Sequence, residues 1–136
     1  MTARDRKRLG ASDQRLIEKV DRVLQTMAAI DAPMMVTGGA RTASQQRALY
    51  VMGRSKPGKI VTNADGVNRK SQHQRGRAAD LCFLTPEGEP TWEGPWDLLG
   101  ATAEQEGLVW GGTWRSFPDR PHVELPEDVP EGTVRA

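Results

Sequence analysis

Apolar residues recur at intervals of three and four positions between residues 12 and 31, which predicts a helix with one buried face. That face consists of Leu16, Ile17, Val20, Val23, Leu24 and Met27. Ser12 or Asp13 is placed to cap the helix, because a short polar side chain there accepts a hydrogen bond from a free backbone N–H group. Ala32-Pro33 ends the helix, since the residue before a proline is disfavoured in the helical conformation.

Two further helices are predicted downstream. One begins at Thr42, where Thr42-Ala43-Ser44-Gln45 fits a capping box, and ends at Gly53. Its expected inner face consists of Ala48, Leu49 and Met52. The other begins at Pro95 and ends at Gly107.

Short apolar runs bounded by glycine, proline or other turn residues predict strands. These runs are residues 34–37, 78–84, 108–110 and 122–125. Residues 53–72 form a long polar connection, and long connections within a domain are often functional. Because helices and strands mix without a regular βαβ alternation, the predicted fold class is α+β.

The chain has 136 residues, and we expect a single domain over residues 1–136. Within it, residues 1–11 are expected to form a basic N-terminal segment and residues 126–136 an irregular tail. The apolar runs are far shorter than the ~18 residues of a membrane span, so no stable membrane association is expected. Cys82 is the single cysteine, which excludes an internal disulfide framework.

Charge is divided unevenly along the chain. Residues 1–80 contain 16 Lys and Arg against 7 Asp and Glu, whereas residues 81–136 contain 3 against 11. A basic part of this kind can serve as an arm that binds a polyanion. The basic residues are scattered without interleaved aromatic residues, so we expect the two parts to fold against each other and no nucleic acid to be bound.

The chain contains two histidines, and both lie near carboxylates. His73 precedes Asp80 by seven residues, and His122 lies between Asp119 and Glu124. Two imidazoles and one carboxylate form one type of catalytic zinc site, in which a fourth position stays open for water. Spacing alone leaves the alternatives open, because neither segment has a helical H-E-x-x-H pattern. Either histidine can be an ordinary hydrogen-bonding residue, Asp80 can cap its strand, and Asp119 can belong to a turn.

Three blocks of sequence resemble a known superfamily in their order along the chain. They are Gly38-Gly39-Ala40-Arg41-Thr42-x-x-Gln45-Gln46 with residues 53–64, then Ser71-x-His73-x-x-Gly76-x-Ala78-x-Asp80, and Asp119-x-Pro121-His122-x-Glu124. The second and third blocks look like the signature of the zinc D-alanyl-D-alanine carboxypeptidase and L-alanyl-D-glutamate endopeptidase (VanY-like) superfamily. The first resembles its phage and prophage endolysin branch. The implied fold is of the zinc DD-peptidase or Hedgehog-like type, a small, mostly antiparallel central sheet flanked by helices.

The resemblance also implies roles for individual residues. His73, Asp80 and His122 would bind Zn²⁺, and Asp119 would be the general base. Arg41 would lie near the substrate, as a carboxylate clamp or as an oxyanion stabiliser. Ser71 and Gln45 fall on motif positions and are assigned to substrate binding.

Two assignments remain open at this stage. Glu124 is the rival base, because alternate residues of a strand share a face and Glu124 would lie beside His122. In the other interpretation Glu124 orients the imidazole of His122. Trp110 and Trp114 would either line the substrate groove or pack in the core.

The function implied by the resemblance is hydrolysis of the peptidoglycan stem peptide at the L-alanyl-D-glutamate bond, by an endolysin in bacterial lysis. A D-alanyl-D-alanine carboxypeptidase is the first alternative, and a non-catalytic peptidoglycan-binding module the second. The expected partner is the stem peptide, and a monomer is expected. The protein would be made in the host cytoplasm and would act on cell-wall peptidoglycan after release.

Overall fold

The computed structural model describes residues 1–62, 64–66 and 71–128. The helices within these residues are α1 (Ala3–Leu9), α2 (Gln14–Ala29), α3 (Ala43–Tyr50) and α4 (Trp96–Gln105). The strands are β1 (Met34–Gly38), β2 (Ala78–Leu84), β3 (Pro90–Thr91), β4 (Val109–Trp110) and β5 (His122–Glu124). Every helix in this part of the chain is too short or too polar to cross a bilayer. Most of the tail expected to be irregular lies beyond residue 128, outside the described residues.

The strands of the described residues form one sheet in the order β1-β2-β5-β4, with β3 paired to the end of β2. Every pairing in it is antiparallel. β2 lies between β1 and β5, and most of its side chains are buried, as expected for a strand written as an almost continuous apolar run. The α+β class and the mostly antiparallel sheet flanked by helices are therefore confirmed.

Helix α2 supplies much of the core on one side of the sheet. It packs against α4 and β1, and all six apolar residues expected on its inner face are buried. Full burial of a side chain of this kind stabilises the fold by about 1.5–3 kcal/mol relative to exposure. Of the two candidate caps, Asp13 fills the position, because its carboxylate accepts a hydrogen bond from the backbone of Arg15 at 2.8 Å.

The N-terminal segment, expected only to be basic, contains helix α1. Thr2 and Asp5 form a capping box at its start, and Leu9 is fully buried at its end. Asp5 is also buried, and its carboxylate accepts hydrogen bonds from the backbone N–H groups of Thr2 at 3.1 Å and Val36 at 2.9 Å. The sequence does carry a signal for this helix, because Thr2 is followed three residues later by the acid Asp5. The expectation for residues 1–11 rested only on their basic charge.

The capping box of α3 is confirmed, but its expected inner face is wrong. Ala48 is exposed, and Leu49 and Met52 are only half-buried. The fully buried side chain of this helix is Gln46. A polar residue occupies the inner position because the segment folded over α3 presents polar atoms to it, in Thr62 and Ala64.

The buried carboxylate of Asp5 yields a prediction about stability. An Asp5→Ala substitution leaves the N–H group of Val36 buried without a partner, so the free energy of unfolding should fall by about 1–3 kcal/mol. Urea unfolding followed by tryptophan fluorescence measures this change. Glu87→Ala, which removes an exposed acid, is the control and should change the stability by less than about 0.5 kcal/mol. Equal stability of the two variants would show that α1 is not anchored through Asp5.

Candidate metal centre and active site

Two neighbouring strands and one turn bring the histidines and Asp80 together. β2 and β5 are paired so that Asp80 lies opposite His122. His73 comes from the turn that precedes β2, and its backbone carbonyl accepts a hydrogen bond from the N–H group of Arg41 at 2.9 Å. Residues that are distant in the sequence therefore share one site on the two inner strands of the sheet.

The potential ligand atoms of these three side chains lie close to one another. Nε2 of His73 is 3.2 Å from Nδ1 of His122. The carboxylate oxygens of Asp80 lie 3.3 Å from Nε2 of His73 and 3.6 Å from Nδ1 of His122. One ligand atom from each residue fits within a group whose members are all within 4.8 Å of one another. Both imidazoles are buried, whereas the Asp80 side chain remains partly exposed.

The outer nitrogen of each imidazole has its own acceptor. Nδ1 of His73 lies 3.0 Å from the carbonyl oxygen of Gly39, and Nε2 of His122 lies 2.6 Å from the carboxylate of Glu124. Each acceptor holds a proton on the outer nitrogen, which leaves a lone pair on the inner nitrogen. Two such lone pairs facing each other at 3.2 Å repel each other unless a proton or a metal ion lies between them.

A divalent metal ion fits this arrangement. Oδ1 of Asp80 is buried and has no hydrogen-bond partner among the described residues, so it is a further acceptor without a proton donor. Two imidazole nitrogens and a carboxylate oxygen are a ligand set typical of catalytic zinc. His73, Asp80 and His122 would hold the ion between them.

The protonation equilibria also favour positive charge at the centre of the site. Burial opposes the charging of His122, but the carboxylates of Asp80 and Glu124 outweigh it and raise the pKa of His122 to about 9. Burial likewise opposes ionisation of Asp80, but its interactions with the side chains of His122 and His73 outweigh it and lower the pKa of the carboxyl group.

Asp119 and Glu124 occupy different positions around His122. Oδ2 of Asp119 lies 3.9 Å from Nδ1 of His122, on the inner side of the ring, and its side chain is 41 % exposed. Glu124 contacts the outer nitrogen, and its side chain is only 13 % exposed. Burial and the nearby charge of Asp80 raise the pKa of Asp119, which makes its carboxylate a better proton acceptor.

A cavity of about 530 Å³ opens beside these groups. Its polar wall includes Arg41 and Ser71, and Nη2 of Arg41 lies 3.9 Å from the carboxylate of Asp80. Burial lowers the pKa of Arg41, against the opposing charges of Asp80 and Asp119. The apolar part of the wall consists of Leu49, Val61, Trp114 and Phe117.

Trp110 and Trp114, whose placement in the groove or in the core was left open by the sequence, lie in different places. Trp114 lines the cavity, with its ring centre 4.9 Å from that of His122. Trp110 is buried in the core, and its indole donates a hydrogen bond to the carbonyl of Arg120 at 2.7 Å. Gln45 is also absent from the cavity lining, because it is exposed and its side chain accepts from the backbone of Thr42 at the start of α3.

Comparison with known proteins identifies the family. A family model described as D-alanyl-D-alanine carboxypeptidase matches residues 65–125, which contain all three potential metal ligands. The chain is 33 % identical over 102 residues to the peptidoglycan L-alanyl-D-glutamate endopeptidase CwlK of Bacillus subtilis (strain 168). The chain belongs to the zinc D-alanyl-D-alanine carboxypeptidase and L-alanyl-D-glutamate endopeptidase superfamily. The alignment with CwlK covers 68 % of this chain and 60 % of CwlK, so the chain spans about three fifths of that relative's length.

Solved structures of the superfamily share the fold. The L-Ala D-Glu endopeptidase ChiX of Serratia marcescens matches with a TM-score of 0.66 and 26 % identity, over 93 % of this chain and 89 % of ChiX. The D,D-pentapeptidase VanY, solved in complex with Zn(II), matches with a TM-score of 0.64 and 15 % identity, over 84 % of this chain and 72 % of VanY. At that identity the match to VanY supports the fold alone.

Sequence reasoning missed several residues around the cavity. Gln46 is the most prominent, because its amide accepts a hydrogen bond from Nη1 of Arg41 at 2.6 Å. A signal for its inward position existed, since Gln46 lies three residues before Leu49 and therefore on the same side of a helix. Phe117 and Val61 gave no such signal, because they lie outside regular elements.

The two imidazoles should show opposite tautomers when zinc is bound. We expect the proton on Nδ1 of His73 and on Nε2 of His122, because Gly39 and Glu124 accept from those atoms. Imidazole ¹⁵N NMR spectra are simple to assign here, since the chain contains only two histidines. Zinc should shift the ¹⁵N resonances of both imidazole rings, and a chelator should reverse the change. Identical tautomers, or rings unaffected by zinc, would contradict this arrangement.

Proposed function

We propose that this protein is a zinc-dependent peptidase that hydrolyses the L-alanyl-D-glutamate bond of the peptidoglycan stem peptide. The convergence of the His73, Asp80 and His122 donor atoms beside a cavity that also holds Asp119 and Arg41 carries the proposal. The family membership supports peptidoglycan as the substrate. CwlK and ChiX are both named as L-alanyl-D-glutamate endopeptidases, which supports the choice of bond.

In this proposal the three ligands bind the metal, and Asp119 transfers protons. His73, Asp80 and His122 hold the zinc ion, which when bound supplies Lewis-acid activation of water and of the scissile carbonyl group at neutral pH. Asp119 accepts a proton from the attacking water as the C–O bond forms. It then donates that proton to the leaving amine as the C–N bond breaks, so that one water molecule is consumed for each peptide bond.

The surroundings of the two acids favour Asp119 over Glu124 as the base. A general base needs a free carboxylate that reaches the attacking water. Both acids line the cavity, but Asp119 lies on the inner side of His122, whereas Glu124 is held at 2.6 Å by the outer nitrogen of the same ring. Glu124 is therefore assigned to orienting His122 and increasing its basicity as a ligand.

Arg41 provides the positive charge of the substrate site. Its guanidinium group lines the cavity, where partial burial strengthens its interaction with an anion. A planar group with several N–H donors suits a substrate carboxylate or the oxyanion that develops at the scissile carbonyl. Ser71 and Trp114, which also line the cavity, are the remaining candidates for substrate contact.

We also propose a role as an endolysin, acting as a monomer on the cell wall after synthesis in the host cytoplasm. The support for this role is the resemblance of residues 38–64 to the phage and prophage branch of the superfamily. The charge division of the chain leaves nucleic acid an unsuitable partner, because acidic residues dominate after residue 80.

Digestion of purified peptidoglycan tests the reaction. With zinc, mass spectrometry should detect stem peptides that begin with glutamate and glycan fragments that retain alanine. A chelator should abolish both products, and added zinc should restore them. The same protein should reduce the turbidity of bacteria whose outer membrane has been permeabilised, if it acts as an endolysin.

Other products would point to other functions. Release of free D-alanine would identify a D-alanyl-D-alanine carboxypeptidase, the activity by which the matching family model is described. Retention on peptidoglycan without new amino groups would identify a binding module. Full hydrolytic activity in the presence of a chelator would reject the metal-dependent mechanism.

Substitutions at the two acids should have different effects. Asp119→Asn should lower kcat by about 10²–10⁴-fold, because general acid–base catalysis is lost, while each chain still binds one zinc ion. Glu124→Gln should instead weaken zinc binding by about 10–100-fold, with kcat largely retained at saturating zinc. Asp97→Asn, at an exposed position of α4, is the matched control and should change neither quantity. An active Asp119→Asn enzyme would point to Glu124 as the base.

A further inference from the structure

Gln46 is a fully buried polar side chain beside the cavity, with a partner for each part of its amide. Its oxygen accepts the hydrogen bond from Nη1 of Arg41 at 2.6 Å. Its nitrogen donates to the hydroxyl group of Thr62 at 3.1 Å and to the carbonyl oxygen of Ala64 at 2.8 Å. One amide therefore joins α3, Arg41 and the segment that forms part of the cavity wall.

The wall segment is held tightly against Gln46. Thr62 and Ala64 both line the cavity, and the hydroxyl group of Thr62 also accepts from the backbone of Ala64 at 3.1 Å. The segment approaches α3 so closely at Gly66 that an added Cβ would lie 3.2 Å from Cβ of Gln46. On its other side, the amide of Gln74 donates to the carbonyl of Gly66 at 2.8 Å. Thr62, Ala64 and Gly66 are thus each hydrogen-bonded to a glutamine side chain.

The acceptor for Arg41 is neutral, which matters for the charge of the site. A carboxylate at this position would pair with the guanidinium group and cancel most of its attraction for an anion. An amide oxygen fixes the direction of one N–H group and adds no negative charge of its own beside the guanidinium group. The nearest carboxylate across the site, that of Asp80, lies 3.9 Å from Nη2.

We propose that Gln46 is a positioning residue: it directs Arg41 into the cavity and couples its orientation to the wall formed by Thr62 and Ala64. Gln46 itself makes no contact with the substrate, since its amide is occupied on every side. The inference deepens the proposed function, because it depends on Arg41 as the residue that contacts the anionic substrate.

A double-mutant cycle tests whether Gln46 acts through Arg41. Gln46→Met keeps the shape of the side chain and removes its hydrogen bonds. In the wild-type background it should lower kcat/KM for the stem peptide by about tenfold or more, because coupled groups in contact interact strongly. In an Arg41→Ala background the same substitution should change kcat/KM by less than about twofold. Equal losses in both backgrounds would overturn the proposal.

Two controls separate positioning from loss of structure. Zinc content should stay at one ion per chain in Gln46→Met, since Gln46 is not among the potential ligands. Gln105→Met, the same substitution at an exposed position of α4, should leave kcat/KM unchanged. Loss of zinc from Gln46→Met, or a loss of activity as large in Gln105→Met, would show a general structural effect and would contradict the proposal.

A second variant tests the importance of a neutral acceptor. Gln46→Glu retains an oxygen that accepts from Arg41 but adds a negative charge beside it. KM for the anionic stem peptide should rise by about tenfold, because the guanidinium group of Arg41 then pairs with the new carboxylate of residue 46. An unchanged KM would show that the neutrality of Gln46 has no function.

A measurement without substrate distinguishes failure of this inference from failure of the proposed function. In ¹⁵N NMR spectra, the guanidinium resonances of Arg41 should show restricted rotation in the wild type and in Gln46→Glu, and free rotation in Gln46→Met. Restricted rotation that depends on Gln46 in a protein that does not cleave the L-alanyl-D-glutamate bond would reject the proposed bond and keep the positioning role. Rotation that is unaffected by Gln46→Met would reject the positioning role, whatever the enzyme cleaves.

Discussion

Antiparallel pairing between β2 and β5 sets Asp80 directly opposite His122. Because both residues lie within paired strands, their distance depends on the register of that pairing. The neighbouring pair, Ala79 and Val123, is fully buried on the other face of the sheet. A slip of one residue would turn Asp80 into the core and a small apolar side chain toward the site, at a large energetic cost. The hydrophobic core thus fixes the distance between two potential ligands that the chain separates by forty-two residues.

The third potential ligand, His73, is held by a reciprocal contact with the segment that carries Arg41. Nδ1 of His73 faces the carbonyl of Gly39, and the carbonyl of His73 accepts from the N–H group of Arg41. The backbone position of Arg41 therefore depends on His73, while its guanidinium group depends on Gln46. The same short segment contacts His73 and carries Arg41, so a shift that disturbs one of these residues disturbs the other.

The elements predicted best from the sequence are those that local interactions determine. The apolar period of α2, the capping box at Thr42 and the run of β2 each contain their own signal, and each is confirmed. Strand alternation also placed Glu124 on the same face as His122 and left two roles open, a base or a residue that orients the ring; the contact with the outer nitrogen at 2.6 Å favours the second. The spacing of Gln46 and Leu49 indicates the side of α3 on which Gln46 lies, but not its full burial, because its partners lie 16 and 18 residues away in a segment without a periodic pattern. Polar burial depends on such distant partners, and hydrophobic patterning carries no information about them.

The charged side chains of the site come from both the basic and the acidic part of the chain. Arg41 and Asp80 come from the basic part of the chain, and Asp119 and Glu124 from the acidic part. With neutral imidazoles, three carboxylates and one guanidinium group leave two negative charges, which would repel a stem peptide that carries carboxylates of its own. In the proposed function, a divalent cation would balance those two charges, and Arg41 would then attract an anion. An acid in place of Gln46 would make that site negative again, so the neutral amide of Gln46 is compatible with both the proposed metal and the proposed anionic substrate.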